Sequence, residues 1–544
     1  MRIWGTLDAF LEPGPPLGRR VANRSFLRAL IRHGPLDRHD FFLADDRAAA
    51  ACAADLQAEF PTAWADGALV VRTVDELARG LAAESYHCFH LANCVLFQPH
   101  LAALRNRVAP TLFPITGVTH SLSYARDLPR WLAHLSADTT ARDAIVATSS
   151  TGAAALRAIF ATLAARYVIV GAVTPRIAQL PLGLELGDFP AITSAQRTAQ
   201  RVDLGFAPDD VVVLGFGRIA HASKMDLLPL FAACARLPAA ARATLVVVIA
   251  GGLDAGDRTP ELLEAMAAAG EVRLRVATNP TDAARIALYG SADVFVSPID
   301  NPQETFGLTV IEAAAMGLPV IASDYDGYRD LVVDGETGFL IPTLGPATTD
   351  DTDALANLLF DDQYHLRLAQ QTVVDVGALA RALATLIGDP ARRRAMGEAG
   401  RRAARVRFAW PTIIRGYHAL WDELRAEPAP RPPGPHPLHL PYAAVFAGYP
   451  TAIVDGELTV VATARGSALL AGTTAPIIYG SLDRDVDEPT LRTIVAQAEA
   501  PVRVDALIAG LGATRRAEAA QFVILWALKH DFLQITNELR SRLR

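Results

Sequence analysis

The chain predicts an α/β fold: two consecutive doubly wound parallel sheets, followed by a small α+β module. Three observations carry this. Short apolar runs alternate with helical patterns from residue 1 to about residue 200, and the alternation starts afresh at Val211-Val-Val-Leu-Gly215. Strands separated by helical crossovers pair in parallel, because each crossover returns the chain to the same end of the sheet. The third observation is Pro428-Ala-Pro-Arg-Pro-Pro-Gly-Pro-His-Pro437, where dense proline stiffens the chain and forbids regular ladders.

In the first unit the candidate strands are Arg2–Trp4, Phe41–Ala44, Ala68–Arg72, His87–Leu91, Thr111–Ile115, Ala144–Ala147 and Ala178–Leu180. Helical patterns lie between most of them. Val21–Arg32, for example, places Val21, Phe26, Leu27, Leu30 and Ile31 on one side. Pro181-Leu-Gly-Leu-Glu185 reads as the exit from this unit. The second unit continues from Val211 with a helix from about Met225 and strands at Thr244–Ala250, Val272–Val276, Val294–Ser297 and Val320–Ser323, ending near Gly338-Phe-Leu-Ile-Pro342. Residues 343 to about 375 break the compact pattern and read as a surface insertion. Helices resume at Val376–Ile387 and Pro390–Val406, and Phe408-Ala-Trp410 introduces another to about Glu427. The module holds strand-like Ala452–Val454 and Leu458–Ala462, helices over Thr490–Ala498, Asp505–Leu511 and Arg515–Lys529, and a last strand at Phe532–Ile535. In its longest helix Ala519, Phe522, Val523, Trp526 and Ala527 fall at core spacing. The predicted division is therefore 1–200, 201–410, a helix over 411–427, a linker over 428–440 and a module over 441–544.

A length of 544 residues suits two or three domains, each with a full core. No apolar run reaches membrane-spanning length; Leu245–Ala250 is strand-sized and stops at Gly251-Gly252. Met1-Arg-Ile-Trp-Gly5 leads almost directly into a strand, so no signal peptide is read there. Cys52, Cys88, Cys94 and Cys234 show no metal or redox spacing, which fits a cytoplasmic chain with buried thiols. A net charge of −7 makes no electrostatic case for nucleic acid or an anionic membrane.

The most informative stretch is Ser297-Pro-Ile-Asp-Asn-Pro-Gln-Glu304-Thr-Phe-Gly307-Leu-Thr-Val-Ile-Glu312-Ala-Ala-Ala-Met-Gly-Leu-Pro-Val-Ile-Ala-Ser323. It reads as a strand end, a polar loop, a helix opening near Phe306 and a second strand. Glycine at 307 lets a ligand approach the first free amides of the helix, which favour an anion such as phosphate. Carboxylates at 304 and 312 flank that helix start. A sugar nucleotide, with hydroxyls at either end and phosphates between, fits this arrangement.

These residues resemble the Glu-x7-Glu signature of retaining glycosyltransferases with the GT-B fold, family 4 in particular. The resemblance covers about residues 1–427 and is strongest over 290–342. It implies two Rossmann-like domains facing a cleft, with the acceptor on the first and the nucleotide-sugar on the second. The helix over 411–427 would return to the first domain. It also implies that Glu304 sits beside the transferred sugar, that Glu312 holds ribose hydroxyls, and that the amides of Phe306, Gly307 and Leu308 meet the diphosphate. Thr305 departs from the family, which commonly has a small residue or proline there.

Gly215-Phe-Gly217-Arg218, with Lys224 six residues after the arginine, is similar to the family's basic pair that stabilises a departing diphosphate. The Gly-x-Gly here lacks the third glycine of a dinucleotide fingerprint. His120, after the strand ending in Pro114-Ile-Thr-Gly117, matches a histidine that faces the donor sugar. Gly18 and Arg19 stand where the family has a glycine loop near acceptor and phosphate. No metal or other cofactor is expected, since basic side chains and a helix start take that role. The alternatives are a sugar-nucleotide epimerase of the same fold, which needs a further acid/base pair, and a non-catalytic scaffold. The 441–544 order resembles a winged helix. Without a clear basic face, it is expected to bind a protein partner or acceptor and not nucleic acid.

Overall fold

A computed structural model describes residues 1–12, 14, 18–135, 138–167, 173–359, 361–431, 440–483, 485–512 and 517–536. They fall into two compact units, 1–438 and 439–544.

The first unit contains two parallel sheets. One is built from β1 (Ile3–Thr6), β2 (Arg38–Leu43), β3 (Leu69–Thr73), β4 (Tyr86–Leu91), β5 (Ile115–Val118), β6 (Asp143–Ala147) and β7 (Arg176–Gln179), in the order β3-β2-β1-β4-β5-β6-β7. The other is built from β8 (Val211–Phe216), β9 (Leu245–Gly251), β10 (Arg273–Thr278), β11 (Val294–Ser297), β12 (Val320–Ser323) and β13 (Gly338–Ile341), in the order β10-β9-β8-β11-β12-β13. The interior strands are largely buried; β9 reads LVVVIAG and is buried at every position, as helices on both faces require. The edge strands β7 and β10 are partly exposed.

One strand starts later than its apolar run. Thr111–Ile115 was the expected segment, but β5 begins at Ile115. It lies between β4 and β6, where every amide of the ladder is needed, and Pro114 has none to give. In the second sheet, the helix expected from about Met225 begins at Leu228.

The helix Trp410–Ala426 packs into the core of the first sheet domain, with Trp410, Tyr417 and Trp421 in one cluster with Trp4 and Phe26. The Trp421 indole donates to the Thr116 hydroxyl at 2.9 Å. The helix Ser194–Asp203 packs instead with the second sheet domain, where Arg197 and Arg201 share Asp293. The chain therefore crosses between the domains twice, which brings their loops face to face.

The insertion is not simply a surface excursion. β14 (Thr343–Leu344) and β15 (Val373–Val374) pair antiparallel at its base. Between them, the helix Asp361–Ala369 buries His365 completely against residues 123–124 of the first sheet domain. The pattern suggested exposure because the segment is polar; the burial comes from a neighbour some 240 residues earlier in the chain.

The second unit has a three-stranded antiparallel sheet, in which β16 (Thr459–Ala462) lies between β17 (Val502–Arg503) and β18 (Leu533–Ile535). Helices Glu488–Gln497, Val504–Gly510 and Ala517–Lys529 cover it, as does Ala464–Leu470, which sequence periodicity did not single out. The expected strand at Ala452–Val454 does not form. Phe522 and Ala519 leave the predicted core: Phe522 is 43% exposed, and Ala520 and Ile524 are buried instead. Most of the proline linker, the start of the expected Arg515 helix and the basic terminus lie outside the described residues.

Candidate active site

In a doubly wound sheet, ligands bind where neighbouring strands send their loops in opposite directions. In the second sheet that point lies between β8 and β11, and the loops after these strands hold Gly217–Lys224 and Glu304–Leu308. The sheet order thus brings together two motifs about eighty residues apart.

Gly217 N–H donates to Ala250 O at 2.9 Å, and Ile219 N–H to Gly252 O at 2.7 Å. Gly251 adopts φ 143°, and a Cβ there would lie 1.6 Å from Gly217 O. Only glycine allows the Arg218 loop to lie against the end of β9. Arg218 Nη2 donates to Ser223 O at 2.9 Å, and a cavity of about 100 Å³ opens beside it, lined by Gly217, His221, Met225 and Met266 among others.

The Lys224 ammonium donates to the Glu304 carboxylate, the two side chains being only 17% and 16% exposed. Burial opposes both charges, yet the mutual attraction wins. Glu304 is held below the ordinary carboxylate range and Lys224 above the ordinary lysine range, so both are ionised at neutral pH. Phe306 N–H also donates to Glu304, at 3.3 Å. That amide is therefore engaged within the loop, a correction to the expectation that all three amides of 306–308 face a ligand. Phe306 itself is buried, its ring against Phe408.

Gly307 caps the helix Leu308–Ala315 at φ 105°, and a Cβ on it would come within 2.2 Å of the Tyr328 ring. Tyr328 is anchored in turn by its hydroxyl to Ser297 Oγ at 2.8 Å. The amides of Gly307, Leu308 and Thr309 have no partner among the described hydrogen bonds at this helix start.

Glu312 is not an exposed carboxylate. It is 6% exposed and accepts from Arg285 Nη1 and from the Tyr289 hydroxyl, each at 3.0 Å. Burial raises its pKa, against the pull of Arg285.

The first sheet domain meets this loop directly. Thr305, the residue that departs from the family pattern, donates its hydroxyl to His120 O. Ser121 Oγ donates to Gln303 O at 2.8 Å, and Tyr124 OH to Gln303 Oε1 at 3.2 Å. His120 Nε2 donates to Ala92 O at 2.8 Å, and burial lowers its pKa to about 4, leaving a neutral ring. The Ala92 amide serves Asp8, whose carboxyl is pushed up to about 6 by burial. Gly18 opens the helix Gly18–His33, and Arg19 pairs with Glu12 at 2.8 Å; neither touches the Lys224–Glu304 pair.

Two further carboxyls, in the Asp324–Asp330 stretch that follows the motif, were assigned no role from the sequence. Asp326 adopts φ 46°, accepts from Thr151 Oγ1 across the cleft at 3.0 Å, and is raised to about 7 by burial. Asp330 accepts from the backbone and hydroxyl of Ser150 at the start of the helix Ser150–Arg166. An Asp-Gly pair reads as an exposed turn, and no local signal marks it as a cleft residue. Among the described residues no group of three or more His, Cys, Asp or Glu side chains could hold a metal.

The two facing sheets, joined by a returning helix, are the GT-B architecture. It is shared, at 78% coverage of this chain, with an Anabaena protein, HepE, solved with UDP and glucose (TM-score 0.53, 16% identity, all of that chain). Sucrose-phosphate synthase from Thermosynechococcus elongatus also shares it (TM-score 0.51, 20% identity, 78% of this chain and all of that one). Residues 196–373, which carry the Lys224–Glu304 site, match the family model of glycosyl transferases group 1. Curated relatives include the D-inositol 3-phosphate glycosyltransferases of Nocardia farcinica, 32% identical over 216 residues, and of Xylanimonas cellulosilytica, 35% identical over 206. These matches take in 39% and 37% of this chain, and the chain spans about half the length of these relatives, 46% and 47%.

Proposed function

We propose that this chain is a nucleotide-sugar-dependent, anomer-retaining glycosyltransferase of family 4. The observation that carries the reading is the ionised Lys224–Glu304 pair beside Arg218 and the Gly307–Leu308 amides. When a glycosidic bond to a diphosphate breaks, negative charge grows on the departing oxygen. Fixed cations and amides aimed there stabilise the transition state more than the ground state. Lys224 would exchange part of its contact with Glu304 for the diphosphate, and Glu304 would then be free to accept from the sugar. Glu312, held in place by Arg285 and Tyr289, keeps lone pairs for ribose hydroxyls. Across the cleft the neutral His120 presents an uncharged polar edge to the sugar. The departing diphosphate would take the proton of the acceptor hydroxyl on the same face, so the product keeps the donor's anomeric configuration. The positive charge needed comes from side chains and a helix start, without a metal. The module over 441–544, winged-helix-like in its order of elements, is read as a site for a protein partner or acceptor.

Incubation with a panel of sugar nucleotides, followed by proton NMR of early product, tests this. Release of nucleoside diphosphate with a retained anomeric coupling is expected; an inverted coupling refutes the mechanism, and no turnover of any donor refutes the class. One observation favours a second reading: buried Asp326, raised to about 7, is an acid/base group that a sugar-nucleotide epimerase of this fold would need. Formation of an epimeric sugar without acceptor would select that reading.

A further inference from the structure

We propose that the inserted helix Asp361–Ala369 holds the loop after β5 against the Glu304 turn, making His365 and Tyr124 positioning residues of the active site. The inference rests on the glycosyltransferase reading, but its geometry stands on its own. His365 is fully buried in an otherwise polar segment. Its ring meets the Tyr124 ring edge-on, centroids 5.0 Å apart, and its Nε2–H donates to Ser123 O at 3.2 Å. Arg126 lies over the Tyr124 ring at 4.5 Å and pairs with Asp361 of the same inserted helix. Tyr124 is thus held on an edge and a face, with its hydroxyl directed to the Gln303 side chain.

Gln303 precedes Glu304, and Ser121 and His120 in the same loop bond Gln303 and Thr305. The insertion reaches the other half of the ion pair as well. Gln370 donates to the Asp226 carboxylate at 3.1 Å, two residues after Lys224, and Asp226 N–H in turn donates to Asp300 at 3.2 Å. One segment therefore touches the loop that carries Lys224 and the opposing loop that carries His120, and it reaches the Glu304 loop through Asp226 and Tyr124. A surface excursion with no role in the site has no reason to bury an imidazole between domains, where desolvation disfavours its charged form.

The test uses full-length His365→Ala, His365→Gln and Tyr124→Phe, compared with wild type in three measurements. Hydrogen exchange over 119–126 without ligand should rise about tenfold in His365→Ala, since tenfold corresponds to about 1.4 kcal/mol of lost closure. Turnover of the best sugar nucleotide should fall about tenfold, while the affinity for UDP or GDP, bound by the second sheet domain alone, stays within about twofold. His365→Gln, which keeps a donor for Ser123 O, should recover much of both losses. Tyr124→Phe keeps the ring and loses the Gln303 bond, so it should lower turnover even where His365→Ala does not fold. Unchanged exchange over 119–126 in a folded His365→Ala, or wild-type turnover in Tyr124→Phe, overturns the proposal. A wild type that consumes no sugar nucleotide overturns the functional reading instead, and the exchange measurement still decides the role of the insertion.

Discussion

The two sheet domains of the first unit share an architecture and differ in the shifted groups they bury: imidazoles predominate in the first, where Asp8 is also raised, and carboxyls in the second, where His365 is also lowered. The first holds neutral imidazoles. His39, His87, His120, His134 and the returning helix's His418 are brought to about 4 by burial, and His90 to about 3. The second holds carboxyls: Asp300 and Asp326 are raised to about 7, Glu312 is raised, and Glu304 stays ionised because Lys224 faces it. Of these imidazoles His120 lies beside the loop that carries Glu304, while the second domain sets the charged Lys224–Glu304 pair there.

The most severe break of this contrast is Lys224→Ala. It removes a cation from the proposed leaving-group site, which at such positions is worth about 3 kcal/mol, or roughly a hundredfold in kcat. It also leaves Glu304 buried without its partner, so Lys224→Arg is the control that keeps the charge. Steady-state kinetics with the working donor decide it; a Lys224→Ala enzyme with wild-type kcat makes the pair structural only.

Acid should separate the two domains next. A histidine whose folded pKa lies below its unfolded value of about 6.5 leaves the unfolded chain binding more protons. The first domain therefore loses stability as pH falls from about 6.5 toward 4, Asp8 alone opposing among its shifted carboxyls. Asp300 and Asp326, raised in the folded state, gain protons there first, and their contribution grows as pH falls from about 7 toward 4. Hydrogen exchange at pH 7 and pH 5, corrected for intrinsic rates, should show strands β1–β7 opening before β8–β13. Simultaneous opening would show that interdomain contacts override the difference.

Glu312→Gln sharpens the charged side. Loss of the charge beside Arg285 should weaken nucleoside diphosphate affinity about tenfold and cost about 1 kcal/mol of stability, since the carboxylate is buried and bonded. Calorimetry and thermal melting read the two effects separately, and unchanged affinity removes Glu312 from the donor site. The smallest effect is expected from truncation after Arg431, which keeps that side chain's bonds to Asn106 O and Ala109 O. Donor hydrolysis should survive, while transfer to a macromolecular acceptor falls if the module binds it; lost hydrolysis in a folded truncation would give the module a catalytic role.

Much of the second sheet domain's side of the site was legible because its signals are local. Glu304 and Glu312 fall in a readable loop and helix, and Arg218 and Lys224 follow a strand. The opposing half was less so. Gly18 and Arg19 stood at the right strand end by pattern, yet Arg19 turns to Glu12. Asp326 hid in a turn, and Thr305 looked like a departure until its hydroxyl was found on His120 O.

Periodicity, then, determined the two parallel sheets and their alternation with helices, and motif resemblance singled out the charged residues that follow β8 and β11. Each of these depends on residues within a few turns of one another, where burial pattern and backbone chemistry act directly. Tertiary structure alone decided that Lys224 pairs with Glu304, that Glu312 is buried under Arg285 and Tyr289, and that a polar insertion buries His365 beside Tyr124. Those contacts join residues that the sheet order and the domain interface bring together across long stretches of chain, and no local pattern encodes a partner that distant.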